Sequence, residues 1–297
     1  MVDGGTSSLR CIGWTTFMRS RLVYGRGSAA GRTVSGFMAN YAPMRPSTRL
    51  LAALVTVLCA TTVSAQWLNH PTPGIPRLDD GTPDLHAPVP RTPDGKPDIS
   101  GLWMPQQPFV VGSGPEPGVV PFKPWAEELW KWRFDTFGRD DPAAYCIVGG
   151  VPRVNLIPYP FRIISVPGRV VVLYEIFFAW REIMTDGRSL PIDPTPTWMG
   201  YSVGQWEADA FVVRSSGYNG RAWLDTDGRP TSDALKVTER FRRKDFGHMD
   251  LEITIDDVKA YTAPWTIMVP LTFQADTELL EYVCNENNKY QELLPKN

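Results

Sequence analysis

Residues 234–256 read ALKVTERFRRKDFGHMDLEITID, and their period decides the fold. Leu235, Val237 and Phe241 share one parity, the two-residue period of a half-buried strand. Residues 249–256 alternate likewise, and Phe246-Gly247 between the two runs supplies a turn. The same period holds from residue 160 onward. It predicts strands at 161–166, 169–177, 180–185, 198–205, 209–216, 234–243, 249–256, 265–273 and 278–284. Short turns at Pro167-Gly168, Asp186-Gly187, Glu207-Ala208 and Phe246-Gly247 imply antiparallel neighbours. An open sheet of so many strands would leave two exposed edges. The predicted fold is therefore mainly β, an antiparallel meander closing into a lipocalin-like up-and-down barrel. The alternative is a strongly curved sheet closed by a helix.

Glu239 shares the apolar parity of its strand, where a carboxylate is costly unless paired. Arg243 has the same parity, and Arg181 is within reach from another strand. Three readings stand open: an inward ion pair, a polar anchor in a ligand cavity, or a register one residue off, which would turn Glu239 outward.

Upstream of the strands, residues 66–124 hold 14 prolines, which remove backbone donors and fix φ. This region reads as an extended arm over 66–123, with turn chemistry at Thr92–Asp98 and one short strand at 99–103. Trp67, Trp103 and Phe109 favour a docked arm over a disordered linker. Residues 124–137 read as a helix, with Pro124 at its first position and Gly138 at its stop. Trp125, Leu129 and Trp132, with Trp130, Phe134 and Phe137 beside them, predict a wide aromatic face packed on the core.

The apolar run LLAALVTVLCATT (50–62) follows Arg45 and Arg49 and precedes Val63-Ser64-Ala65, the three-part pattern of a secretory signal. Read from Met44, residues 44–65 form a complete signal peptide. Residues 1–43, rich in Gly, Ser and Arg, read as an extension from an upstream start assignment, or as an organellar transit segment. The expected organisation is thus 1–43 extension, 44–65 signal, 66–123 arm and 124–297 helix plus barrel. The expected location is the periplasm or the exterior, with no membrane span after signal cleavage. The chain of 297 residues has a net charge of −2. Residues 1–65 carry net +6 and residues 66–297 net −8, and an acidic body argues against nucleic acid as a partner.

Four segments resemble an uncharacterised family of secreted bacterial proteins: TPDGKPDISGLW (92–103), WMGYSVGQWEADAFVV (198–213), ALKVTERFRRKDFGHMDLEITIDDVKAYTAPW (234–265) and TELLEYVCNEN (277–287). The resemblance spans roughly 90–290 and implies export but no reaction. The family's hairpin reads WEGD where this chain has Ala208. A glycine there implies a positive-φ turn position, which alanine adopts only with strain, so either the turn differs or the hairpin is weakened.

Motifs for chemistry are sparse. Gly200-Tyr201-Ser202-Val203-Gly204 spells GxSxG, with Asp225, Asp227 and His248 downstream, but it lies in an alternating strand rather than on a strand-to-helix elbow. The histidines after the signal are His70, His86 and His248, with no HxxxH or CxxC spacing, so no metal site and no cofactor are read. Asp225-Thr226-Asp227-Gly228 departs from a calcium loop and reads as a turn. His248 sits in a predicted turn at 244–248. Glu239, His248 and Asp225 are the weak catalytic candidates, and Glu239, Arg181, Trp198, Trp206 and Trp223 the ligand-binding ones. Trp180 and Trp265 join the aromatic supply. Cys146 and Cys284 are the two cysteines left once the signal is removed. In an oxidising compartment they predict a disulfide, with two buried free thiols as the alternative. The functional expectation is an exported, non-enzymatic barrel that binds a small molecule. The alternatives are an enzyme using general acid–base chemistry, or a structural envelope protein.

Overall fold

The alternation at the centre of the sequence folds as two long antiparallel strands, and the rest of the sheet closes around them. The computed structural model describes residues 70–106 and 120–286. The signal segment, the extension before it, residues 66–69 and 107–119 of the arm, with Trp67 and Phe109, and residues 287–297 lie outside the described residues. The strands are β1 (Gly101–Pro105), β2 (Phe161–Val166), β3 (Arg169–Tyr174), β4 (Trp180–Met184), β5 (Tyr201–Glu207), β6 (Ala210–Ser216), β7 (Lys236–Arg243), β8 (His248–Asp256) and β9 (Trp265–Phe273). They close into a nine-stranded barrel in sequence order. Among the described residues one α-helix, α1 (Pro124–Asp135), stands between β1 and β2. No described helix is long and apolar enough to cross a membrane.

The closure departs from the expected meander in two linked ways. First, residues 278–284 form no strand. The seam is closed instead by the arm, whose β1 pairs with β2 on one side and β9 on the other. Second, β4 and β5 run parallel, through only Ile183↔Ser202 and Met184↔Val203. Parity requires this. Nine strands cannot alternate in direction all the way round a closed ring, so one neighbouring pair must run the same way. Parallel neighbours need a long connection. Residues 185–200 supply it, so Asp186-Gly187 opens a crossover rather than a hairpin. The other predicted turns lie between antiparallel strands.

Ala208 adopts a φ of 51° in the two-residue turn between Glu207 and Ala210. The turn thus keeps the geometry that favours glycine, and the alanine carries the strain. Ala208→Gly is expected to raise stability by about 1 kcal/mol, read as a higher urea midpoint.

The barrel interior is filled by inward side chains. Met249, Leu251, Ile253 and Ile255 of β8 are fully buried, beside Val237 and Phe241 of the neighbouring β7, and Val213 of β6 is buried as well. The arm packs over one end of the barrel. Its residues 85–87 bond the turn between β7 and β8, and Ile99 and Trp103 are buried. The arm carries an internal repeat of fourteen residues, PRLDDGTPDL (76–85) and PRTPDGKPDI (90–99). Both copies fold alike. Arg77 and Arg91 bridge to Pro83 and Pro97, and each guanidinium donates to the carbonyl of the glycine four residues on. Asp84 and Asp98 then accept from the amide two residues later. The two turns reach different partners, Arg77 pairing with Asp276 and Arg91 with Asp209.

At the other end, α1 packs on the loop after β8, through Lys123 N–H to the Ala260 carbonyl and Trp125 Nε1 to the Lys259 carbonyl. The inner face of α1 is Ala126, Leu129, Trp130 and Arg133, one step round from the predicted aromatic face. Trp125, Trp132, Phe134 and Phe137 are exposed. Trp130 stacks on Phe122, and Arg133 lies 4.5 Å over Trp223 while donating to the Gly228 carbonyl. Those contacts fix the rotation of the helix. Cys146 and Cys284 are joined by a disulfide, with Cα atoms 5.6 Å apart.

Candidate functional site

The parallel seam is the weakest joint of the barrel, with two ladder pairs where its antiparallel neighbours β3–β4 and β5–β6 have five and seven. The residues that matter chemically gather on its two sides.

Inside, Glu239 is fully buried on β7, and its partner is Arg181 of β4. Arg181 Nη1 and Nη2 donate to the two carboxylate oxygens at 3.1 and 2.5 Å. Arg181 also donates to Ser202 Oγ on β5 (2.9 Å) and Ser215 Oγ on β6 (2.7 Å). Asn155, in a 3₁₀ turn, donates to Glu239 Oε1 at 2.5 Å, and the Tyr174 hydroxyl donates to Asn155 Oδ1 at 2.9 Å. One guanidinium therefore ties four adjacent strands, β4 to β7, across the joint that the ladder leaves short of bonds. Burial works against the charge of Arg181, but the neighbouring Glu239 carboxylate outweighs it and the pKa rises. Burial pushes the Tyr174 and Tyr218 phenols well above the ordinary tyrosine range, so both stay protonated. The inward ion pair is the reading that holds, and the expected register stands. Arg243 is not the partner: its guanidinium donates to the carbonyls of Asp98, Asp245 and Phe246 at the arm end.

This network also explains GxSxG. Ser202 Oγ is buried between Arg181 and Ser215. Gly200 has a φ of 66°, and a Cβ there would lie 2.7 Å from the Tyr218 ring. A Cβ on Gly204 would lie 2.4 Å from Phe211. Both glycines serve close packing of the barrel wall.

Outside the same seam, the crossover 185–200 leaves a groove of about 850 Å³. Its walls are mainly apolar: Phe177, Phe178, Trp180, Met184, Trp198 and Met199, with Arg181 and Ser202 at the floor. The outward parity of β4 turns Trp180, Glu182 and Met184 toward it. Phe178 and Trp180 remain 56% and 60% exposed, so the groove presents unsatisfied aromatic surface.

The predicted ligand-binding residues fall into three places. Glu239 and Arg181 form the interior pair, and Trp198 lines the groove beside Arg181. Trp206 lies at the arm end, 5.4 Å from Phe211, lining a smaller polar cavity of about 460 Å³ under residues 92–99. Trp223 is buried at the helix end beneath Arg133. Trp265 is buried against Tyr261. The catalytic candidates are not brought together. Glu239 faces Ile253, five residues along β8 from His248 or about 17 Å, and His248, the first residue of β8 rather than a turn residue, lies on the outward parity. Asp225 is buried in an ion pair with Arg229 at the helix end; burial raises its carboxyl against the pull of Arg229. Sequence parity could have found Ser202, because it shares the inward face of β5. Asn155 carries no such signal, since its turn has no period.

No protein-family model matches the chain, and no curated protein matches it in sequence.

Proposed function

We propose that this is an exported, non-enzymatic barrel that binds a small apolar molecule in the groove at the β4–β5 seam. The exposed Phe178–Trp180 wall of that groove carries the reading. The groove falls in the size range of small-molecule sites, about 300–1,000 Å³, and is mainly apolar with few polar groups, as such sites are. The Arg181–Glu239 network beneath holds the groove floor rigid, and its charges already satisfy each other. A ligand there is therefore recognised by shape and aromatic contact rather than by charge. Export is supported by the disulfide, which persists in oxidising compartments, and by the resemblance to secreted bacterial proteins.

Two measurements test this. Expressed from Met44 in a bacterium, the protein is expected outside the cytoplasm with Gln66 as its first residue; N-terminal sequencing that finds an uncleaved cytoplasmic chain overturns export. Native mass spectrometry of protein from its own host is expected to show a retained small molecule. Trp180→Ala should lose it without unfolding, because the side chain is mostly exposed. A ligand-free wild-type spectrum, or one unchanged by Trp180→Ala, overturns the groove. The filled barrel interior favours one other reading, a structural envelope protein, and a ligand-free chain cross-linked to envelope components would support it.

A further inference from the structure

We propose that His86, Asp245 and His248 form a site for a divalent transition metal of the zinc type, which staples the arm to the barrel. The three residues come from two segments far apart in sequence, and each offers a ligand atom within 4.8 Å of the others. His248 Nδ1 lies 3.0 Å from Asp245 Oδ2, and His86 Nδ1 lies 3.5 Å from the same oxygen. Around a tetrahedral zinc with bonds of about 2.0–2.1 Å, ligand atoms stand about 3.3 Å apart. Two edges of the required triangle are thus close to their liganded lengths. The third, between the two imidazoles, is within 4.8 Å, and the His86 side chain, 84% exposed, has room to move. The two imidazoles already stack, with centroids 5.1 Å apart.

The backbone holds this arrangement before any ion arrives. On either side of His86, the carbonyls of Leu85 and Ala87 accept from Gly247 N–H (2.7 Å) and Phe246 N–H (2.8 Å). Those donors belong to the same turn that carries Asp245 and leads into His248 at the start of β8. Gly247 permits the approach, since a Cβ there would lie 2.4 Å from Leu85 Cβ. Asp245 Oδ1 accepts from the amides of Gly247 and His248, which fixes the carboxylate. The arm repeat sharpens the point: the position after its first copy is His86, and the position after its second is Ser100, at the entrance to β1. Two imidazoles and a carboxylate suit zinc, cobalt or nickel rather than calcium or magnesium, which prefer all-oxygen shells. Three protein ligands leave a fourth position for water. The Arg243 guanidinium, bonded to the Asp245 carbonyl, opposes a dication and weakens the affinity expected.

The test uses tag-free, metal-stripped protein titrated with zinc by calorimetry and with cobalt by visible absorption. The expected result is one equivalent per chain and a tetrahedral cobalt spectrum. His86→Ala should weaken binding at least about 10-fold and keep the fold, because the side chain is exposed; His70→Ala should leave binding unchanged. Zinc should also slow proteolysis of the arm in the wild type but not in His86→Ala. No binding at millimolar zinc, or binding that His86→Ala leaves intact, overturns the site.

Discussion

Glu239→Ala is expected to lower the unfolding free energy by about 3–5 kcal/mol, because it strands the buried Arg181 charge. The alanine also removes the acceptor of Asn155, so two buried donor groups lose partners at once. The effect should appear as a lower urea midpoint. Substituting both partners, Glu239→Met with Arg181→Met, should recover much of the loss, since no buried charge then remains. Glu182→Ala, which removes only the outward pair with Arg169, is expected to matter far less. A Glu239→Ala midpoint equal to the wild type would show that the interior pair contributes nothing to the seam.

Breaking the Cys146–Cys284 disulfide is expected to have a comparable effect. The bridge closes a sequence separation of 138 residues. Chain-entropy reasoning gives about 4.7 kcal/mol for a 100-residue loop, so Cys284→Ser should cost up to about 5 kcal/mol. The bridge ties the segment after α1 to the segment after β9, neither of which belongs to a strand; the latter is otherwise held by side-chain contacts such as Arg162–Glu278 and Tyr282 against Tyr159. Denatured, unreduced protein without its signal should present no free thiol. Two free thiols per chain would overturn the bridge.

Legibility in the sequence followed the physics of each element. β2 and β9 were readable to the residue and β7 and β8 nearly so, because one face of each strand meets the core and the other meets solvent. Glu239 was readable as inward for the same reason. The helix was readable from its proline start and glycine stop, but its rotation was not. An aromatic stripe gives one answer, and Arg133 between Trp223 and Gly228 gives another. The terminal segment 278–284 has strand-like composition, yet the seam was already filled by β1.

Local periodicity and redox chemistry therefore determined that this chain is a β-barrel protein with an inward carboxylate and a cysteine pair, because each depends on near neighbours or on simple counting. Only the tertiary structure decided how the barrel closes. Strand direction around a ring is a global parity condition, which no window of sequence contains. From it follow the parallel seam, the crossover that makes the groove, and the need for Arg181 to clamp four strands. The meeting of His86 with His248 was beyond any spacing rule for the same reason: the arm reaches the turn through main-chain hydrogen bonds, which leave no mark on side-chain pattern.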